Sequence, residues 1–140
     1  MSFLANASLR DSFVAALNAN EEFSTQTRAF DGAIQIEVDE DCMWMKVYKG
    51  QVIDHEDAPS RFGYTFKLSG PEDAWQKLLS GQRKWADLTF PGTRYFDNDP
   101  ELSTVGEMTC DIATEGNMIE AGRMTEAVFQ LAYTLKSVAA

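Results

Sequence analysis

Apolar positions between residues 61 and 68 recur every second residue: Phe62, Tyr64, Phe66 and Leu68 alternate with Arg61, Gly63, Thr65 and Lys67. This period predicts a strand with one aromatic face and one mostly polar face. Ser69 follows, three residues before Glu72, with Pro71 in what becomes the first helical turn. That is the pattern of a capping box opening a helix. Trp75, Leu78 and Leu79 fall on one side of this helix, and Gly81 stands where it should end. A strand and a helix joined so tightly put their apolar sides together. The result is an aromatic-rich wall, either ordinary core or the lining of an apolar pocket.

Upstream, Ser8 with Asp11 predicts the cap of a first helix whose inner side carries Leu9, Phe13 and Leu17. A second helical piece is predicted over 21–30, with Phe23, Thr27 and Phe30 at helical spacing and Asp31-Gly32 as a turn. Ile34, Ile36 and Val38 then alternate with Ala33, Gln35 and Glu37. After an acidic turn at 39–41, Met43, Met45 and Val47 share one face while Trp44, Lys46 and Tyr48 share the other. Lys49-Gly50 turns the chain into 51–54, so three or four strands make an antiparallel meander. Residues 88–109 read as irregular, and 108–114 as a returning strand closed by Gly116. Asn117 then caps a long helix with Glu120 at its third position, and Ala121, Met124, Val128, Leu131, Leu135 and Val138 form its apolar stripe. Helices, antiparallel strands, a helix, a strand and a terminal helix together predict an α+β fold.

A chain of 140 residues, 44% hydrophobic and 24% charged, reads as one domain over 1–140. Its formal net charge of −10 argues against nucleic acid or an anionic membrane surface as a main partner. A neutral or anionic small ligand inside the fold stays compatible with that charge. Nothing approaches the ~18 apolar residues of a membrane span, and no basic region of a signal peptide precedes the first apolar run. The expected setting is therefore cytoplasmic, without stable membrane insertion. Cys42 and Cys110 lack metal-site spacing and read as reduced, half-buried thiols.

The order of features from about residue 18 to residue 140 resembles the sterol carrier protein 2 lipid-transfer family. The pieces that carry the resemblance are FDGAIQIEV, the turn KGQVIDHEDAP, the strand-to-helix unit YTFKLSGPEDAWQKLLSG, and the ending in which Gly116-Asn117 joins a strand to a helix. Two features depart from the family's pattern: Asn117 stands where an acidic residue is common, and the stretch FPGTRYFDNDPEL at 90–102 is long and aromatic. The resemblance implies a five-stranded, largely antiparallel sheet with helices packed on one face. It also implies an apolar cavity between them, able to hold a sterol, a fatty acid or an acyl-CoA. On that basis Phe62, Tyr64, Phe66, Trp75 and Leu79 would bury the ligand's tail, and Met118, Met124 and Val128 of the terminal helix would close the pocket. Such a ligand needs an unfilled volume of about 300–1,000 Å³. Nine Phe, three Trp, four Tyr and six Met suffice to line one, and equally to fill a core.

Among polar candidates, Arg94 lies between aromatics, and its fork suits the carboxylate of a fatty acid as well as a salt bridge to a nearby acid. The stretch 90–102 would then be a lid or a homodimer contact. His55, the only histidine, sits among Asp54, Glu56 and Asp57. It reads as part of a solvated turn, with an acid–base role as the enzymatic alternative. Asp97, Asp99 and Glu101 lack the glycine and spacing of a Ca²⁺ loop, and no phosphate-binding glycine motif occurs. The expected function is non-catalytic binding, and transfer, of a hydrophobic small molecule, with no cofactor and no metal. The alternative is an interaction module of the same fold with a filled core.

Overall fold

The computed structural model describes residues 2–89 and 111–139. Arg94, Cys110 and the stretch 90–102 lie outside the described residues. The chain opens with a short 3-10 turn, Phe3–Ala5, and continues through α1 (Ala7–Ala19) and α2 (Glu21–Thr27). Strands β1 (Asp31–Val38), β2 (Asp41–Tyr48), β3 (Gln51–Glu56) and β4 (Phe66–Gly70) follow, then α3 (Glu72–Leu79) and α4 (Trp85–Thr89). β5 (Ala113–Gly116), α5 (Met118–Arg123) and α6 (Thr125–Ala139) complete the described chain.

The five strands form one sheet in the order β3-β2-β1-β4-β5. The pairs β1–β2, β2–β3 and β4–β5 are antiparallel, whereas β1–β4 is parallel. The expected meander therefore holds for three strands, and the fourth returns by a crossover. The fold is α+β, with a mostly antiparallel sheet. Register brings Ile34, Met45 and Phe66 side by side, and Ile36, Met43 and Leu68 likewise. These six side chains are buried in one core with Phe13, Leu17, Phe23, Trp75, Leu131 and Leu135, so the helices cover this face. α6 contacts α1, α2 and α3 and organises that layer.

Local chemistry sets most boundaries. α1 starts at Asn6, whose Oδ1 accepts from the Leu9 amide at 3.2 Å, earlier than the Ser8 signal implied. Asn20 separates α1 from α2: its Oδ1 accepts from the Phe23 amide at 3.0 Å, and its Nδ2 donates to Gln130 Oε1 and Thr134 Oγ1 at 3.2 Å each. Edge strand β3 is partly covered by Asn18, whose side chain accepts from Val52 N at 2.8 Å and donates to Val52 O at 3.1 Å. This satisfies backbone groups that would otherwise offer a template for strand addition.

Three local expectations are corrected. Asp31-Gly32 does not turn the chain but begins β1. Gly32 is needed there for close approach, since a Cβ would lie 2.4 Å from Thr65 Oγ1 and 2.7 Å from the Phe30 ring. Ser69 does not cap α3, because β4 runs on to Gly70 and leaves Ser69 on the sheet's outer face. Pro71 occupies the cap position without a side-chain bond, and Asp39 Oδ2 accepts from Glu72 N at 3.2 Å. The terminal helix is interrupted at Met124, between α5 and α6, although its stripe Ala121, Met124, Val128, Leu131 and Leu135 is buried as one row. Asn117 does cap it, accepting from Glu120 N at 3.1 Å.

Candidate functional site: a cleft on the outer face of the sheet

The face turned away from the helices carries Ala33, Gln35, Trp44, Lys46 and Lys67 by strand alternation and register. Ala33, Gln35 and Trp44 are nonetheless buried. What covers them is the crossover itself. β3 ends at Glu56, far from where β4 begins, and residues 57–65 travel back across the outer face to reach the start of β4. Trp44 Nε1 donates to Gly63 O at 2.7 Å, Thr65 N donates to Ala33 O at 2.8 Å, and Thr65 Oγ1 accepts from Ala33 N at 3.1 Å. The strand expected over 61–68 thus begins only at Phe66.

Between this strap and strands β2–β3 lies a cleft of about 460 Å³, lined by Trp44, Lys46, Ile53, Asp54, Phe62 and Tyr64 with the backbone around Gly32 and Gly63. Its volume falls in the range of about 300–1,000 Å³ usual for small-molecule sites. A register shift between Lys46 and Val47 throws Ile53 outward to the cleft's edge. Ile53 is 58% exposed, Phe62 76% and Tyr64 39%, so the walls are apolar and open to solvent. Lys46 Nζ is held by Asp31 Oδ1. Asp54 accepts from the His55 amide at 2.9 Å. Arg61 lies 5.0 Å over the Phe62 ring and Lys67 5.5 Å over the Tyr64 ring.

Beside the cleft, on the same face of β1, β4 and β5, runs a polar row. Gln35 Nε2 donates to Glu37 Oε2 at 2.6 Å, Lys67 Nζ donates to Glu37 Oε2 at 3.2 Å, and Lys67 reaches Glu115 at 3.5 Å. The hydrogen bond to Glu37 raises the Lys67 pKa, with the charges of Glu37, Tyr64 and Glu115 adding to it against partial desolvation.

The nine residues expected to surround one ligand divide into separate groups. Phe62 and Tyr64 line the outer cleft. Phe66, Trp75, Met124 and Val128 are buried in the helix-side core, with Leu79 partly buried against it. Met118 is exposed at the start of α5, and Arg94 lies outside the described residues. The division follows from the strap: Phe62 and Tyr64 are not in β4, so they do not share its inner face. In the space between sheet and helices, Trp75 stacks on Trp85 with centroids 5.8 Å apart. Among the described residues a crevice of about 50 Å³ lies between α4, β5, α5 and α6, lined by Trp85, Ala121, Val128 and Phe129. Trp44, Ile53 and Asp54 escaped the sequence reading. The available signal was Trp44, an aromatic residue on the otherwise polar side of its strand.

His55 does not reach the cleft. Its Nε2 lies 3.7 Å from Asp11 Oδ1, and with Glu56, Asp57 and Arg10 it borders a separate polar depression. Among the described residues no cluster of His, Cys, Asp and Glu could hold a metal ion. No helix among them is long and apolar enough to cross a membrane.

The architecture is the sterol carrier fold. It matches the crystal structure of sterol carrier protein 2 with a TM-score of 0.67 over 96% of this chain and 98% of that one, at 11% identity. A conserved hypothetical protein of Thermus thermophilus, described as possibly a sterol carrier protein, matches at 0.63 over 95% and 87%, also at 11% identity. Sterol carrier protein 2 from Yarrowia lipolytica, in its apo form, matches at 0.52 over 97% and 95%, at 14% identity. At these identities the likeness is one of fold. No protein-family model matches the sequence, and no curated protein matches it in a sequence search.

Proposed function

We propose that this protein binds, and carries, a hydrophobic small molecule of the fatty acid, acyl-CoA or sterol kind, without catalysing a reaction on it. The observation that carries the reading is the outer cleft: about 460 Å³, walled by Trp44, Ile53, Phe62 and Tyr64, in a chain with the sterol carrier fold. The names of the structural neighbours support an apolar ligand. Aromatic walls favour burial of a ring or tail by about 25 cal/mol per Å² of apolar surface. The charged groups at the cleft are engaged within the protein or lie at its rim.

Native mass spectrometry of the purified protein, with extraction of bound molecules, tests the reading directly. Titration with fatty acids, acyl-CoAs and sterols follows. The expected result is a bound apolar species, lost in the double variant Phe62→Ala/Tyr64→Ala while the fold persists by circular dichroism. An apo mass that no member of the panel shifts overturns the proposal. So does unchanged binding in the double variant.

The close burial of large side chains on the helix side, among the described residues, favours a second reading, an interaction module. Trp75, Phe66, Met43 and Leu131 are fully enclosed there. In that reading the exposed cleft receives a protein side chain, and ligand titrations stay silent while a partner binds through Phe62.

A further inference from the structure

The exposed apolar side chains of this molecule collect at one end. Among the described residues seven large hydrophobic side chains are exposed: Tyr48, Ile53, Phe62, Tyr64, Met118 and Ile119, with Tyr133 on α6 as the seventh. The first six lie where β1 begins. Tyr48 pairs with Asp31 and Gln51, which puts the end of β2 and the start of β3 at that position, with Ile53 close by. Phe66 at the start of β4 pairs with Gly116 at the end of β5, and Met118 and Ile119 open α5 immediately after it. Tyr64 joins the two halves, since a Cβ placed on Gly116 would lie 3.2 Å from its ring. Surface hydrophobic residues are normal when scattered; six of them gathered along one end of a sheet, three of them lining the cleft, mark a contact surface.

Two cations accompany these side chains. Lys49 Nζ lies 5.3 Å over the Tyr48 ring, and Arg61 lies 5.0 Å over the Phe62 ring. The acids at this end include Asp31, bonded to Lys46, Glu120, bonded to Arg123, Glu115, which reaches Lys67, and Asp54 on the cleft wall, which accepts from the His55 amide. Lys49 and Arg61 meet no carboxylate among the described residues, in a chain whose 22 acids outnumber its 12 bases. Aromatic bodies beside Lys and Arg tips suit a boundary with an apolar side and a phosphate-bearing side.

We propose that this end of the molecule docks on the surface of a zwitterionic lipid bilayer. The apolar side chains enter the boundary between headgroups and acyl chains, and Lys49 and Arg61 face lipid phosphates. The net charge of −10 makes phosphatidylcholine a better surface than a membrane rich in anionic lipid. The docking surface stands on its own residues. Its use for loading the cleft, whose wall residues Ile53, Phe62 and Tyr64 belong to the same end, rests on the function proposed above.

Flotation of the full chain with vesicles of phosphatidylcholine alone is the test. The wild type floats with them, and more strongly than with vesicles containing phosphatidylserine. The variant Tyr48→Ser/Ile119→Ser, whose altered residues do not line the cleft, loses about tenfold or more in partitioning, as two large apolar side chains leave the interface. Tyr133→Ser partitions like the wild type. A wild type that stays in the aqueous phase, a double variant that floats equally well, or a preference for anionic vesicles overturns the proposal. It is equally overturned if the wild type is a dimer in solution that Tyr48→Ser/Ile119→Ser converts to monomer, because the surface then belongs to a second copy. Uptake of an apolar fluorescent probe in solution, measured alongside, separates the two claims: flotation without uptake removes the ligand cleft and leaves the docking surface standing.

Discussion

Trp75 shows how one side chain serves both strand and helix. It is fully buried, stacks on Trp85, and its Nε1 donates to Glu37 O at 3.2 Å. Trp75→Ala leaves a cavity and removes this hydrogen bond, so stability should fall by about 3–5 kcal/mol in denaturant melts. The same change should leave ligand uptake by the remaining folded protein intact, because Trp75 does not line the cleft. Cys42 makes a different point. It lies buried on the outer face of β2, opposite Glu37. Desolvation, with Glu37 adding to it, raises its pKa to about 11. The thiolate is therefore scarce at neutral pH, and iodoacetamide should modify Cys42 far more slowly than an exposed thiol until unfolding. Rapid labelling of native protein at Cys42, read by peptide mass, would contradict this placement.

Elements are joined here by side chains that serve two at once. Asn20 ends α1, caps α2 and bonds to Gln130 and Thr134 of α6. Asn20→Ala removes a cap and these inter-helix bonds, and should cost about 1–2 kcal/mol by equilibrium unfolding. A change under a few tenths would mean that water replaces every one of these bonds. Gly116 plays a comparable part at the β5–α5 corner. Its φ is +116°, and a Cβ would lie 2.7 Å from Thr65 O and 2.9 Å from Phe66 Cα. The expectation of a corner at Gly116 and a cap at Asn117 holds because positive φ and a capping amide are local requirements. The capping box at Ser69–Glu72 does not hold, because the pairing of β4 with β1 through Ser69 and Gly70 takes precedence over a local cap.

At the scale of the whole molecule, the packed core and the proposed binding cleft lie on opposite faces of one sheet. The helix side holds the core, while the outer side holds the strap and the cleft. Phe62 is 76% exposed, so Phe62→Ala should leave the melting temperature of the unliganded protein almost unchanged. The same variant should lose the rise in melting temperature that ligand produces, about 2.7 kcal/mol of stabilisation when free ligand stands at a hundredfold its Kd. Thermal melts with and without a fatty acid or sterol check this. Equal ligand-induced rises in the variant and the wild type would place the ligand elsewhere.

By itself the sequence determined which side chains share a face: Ile34, Ile36, Met43, Met45 and Val47 on one side of the sheet, Trp44, Lys46 and Tyr48 on the other, and one buried stripe along 121–135. These follow from repeat periods of two and about 3.6 residues, which every turn of chain obeys locally. The tertiary structure alone decided where the strap lies, and with it the candidate site. Residues 61–65 have the alternation of a strand, but β4 joins β1 in parallel, so the chain must return across the sheet before it can pair. That return carries Phe62 and Tyr64 to the outer face, where Trp44 anchors Gly63 and the cleft opens. Strand order arises from competition among burial surfaces distant in sequence, and no local period records which of them wins.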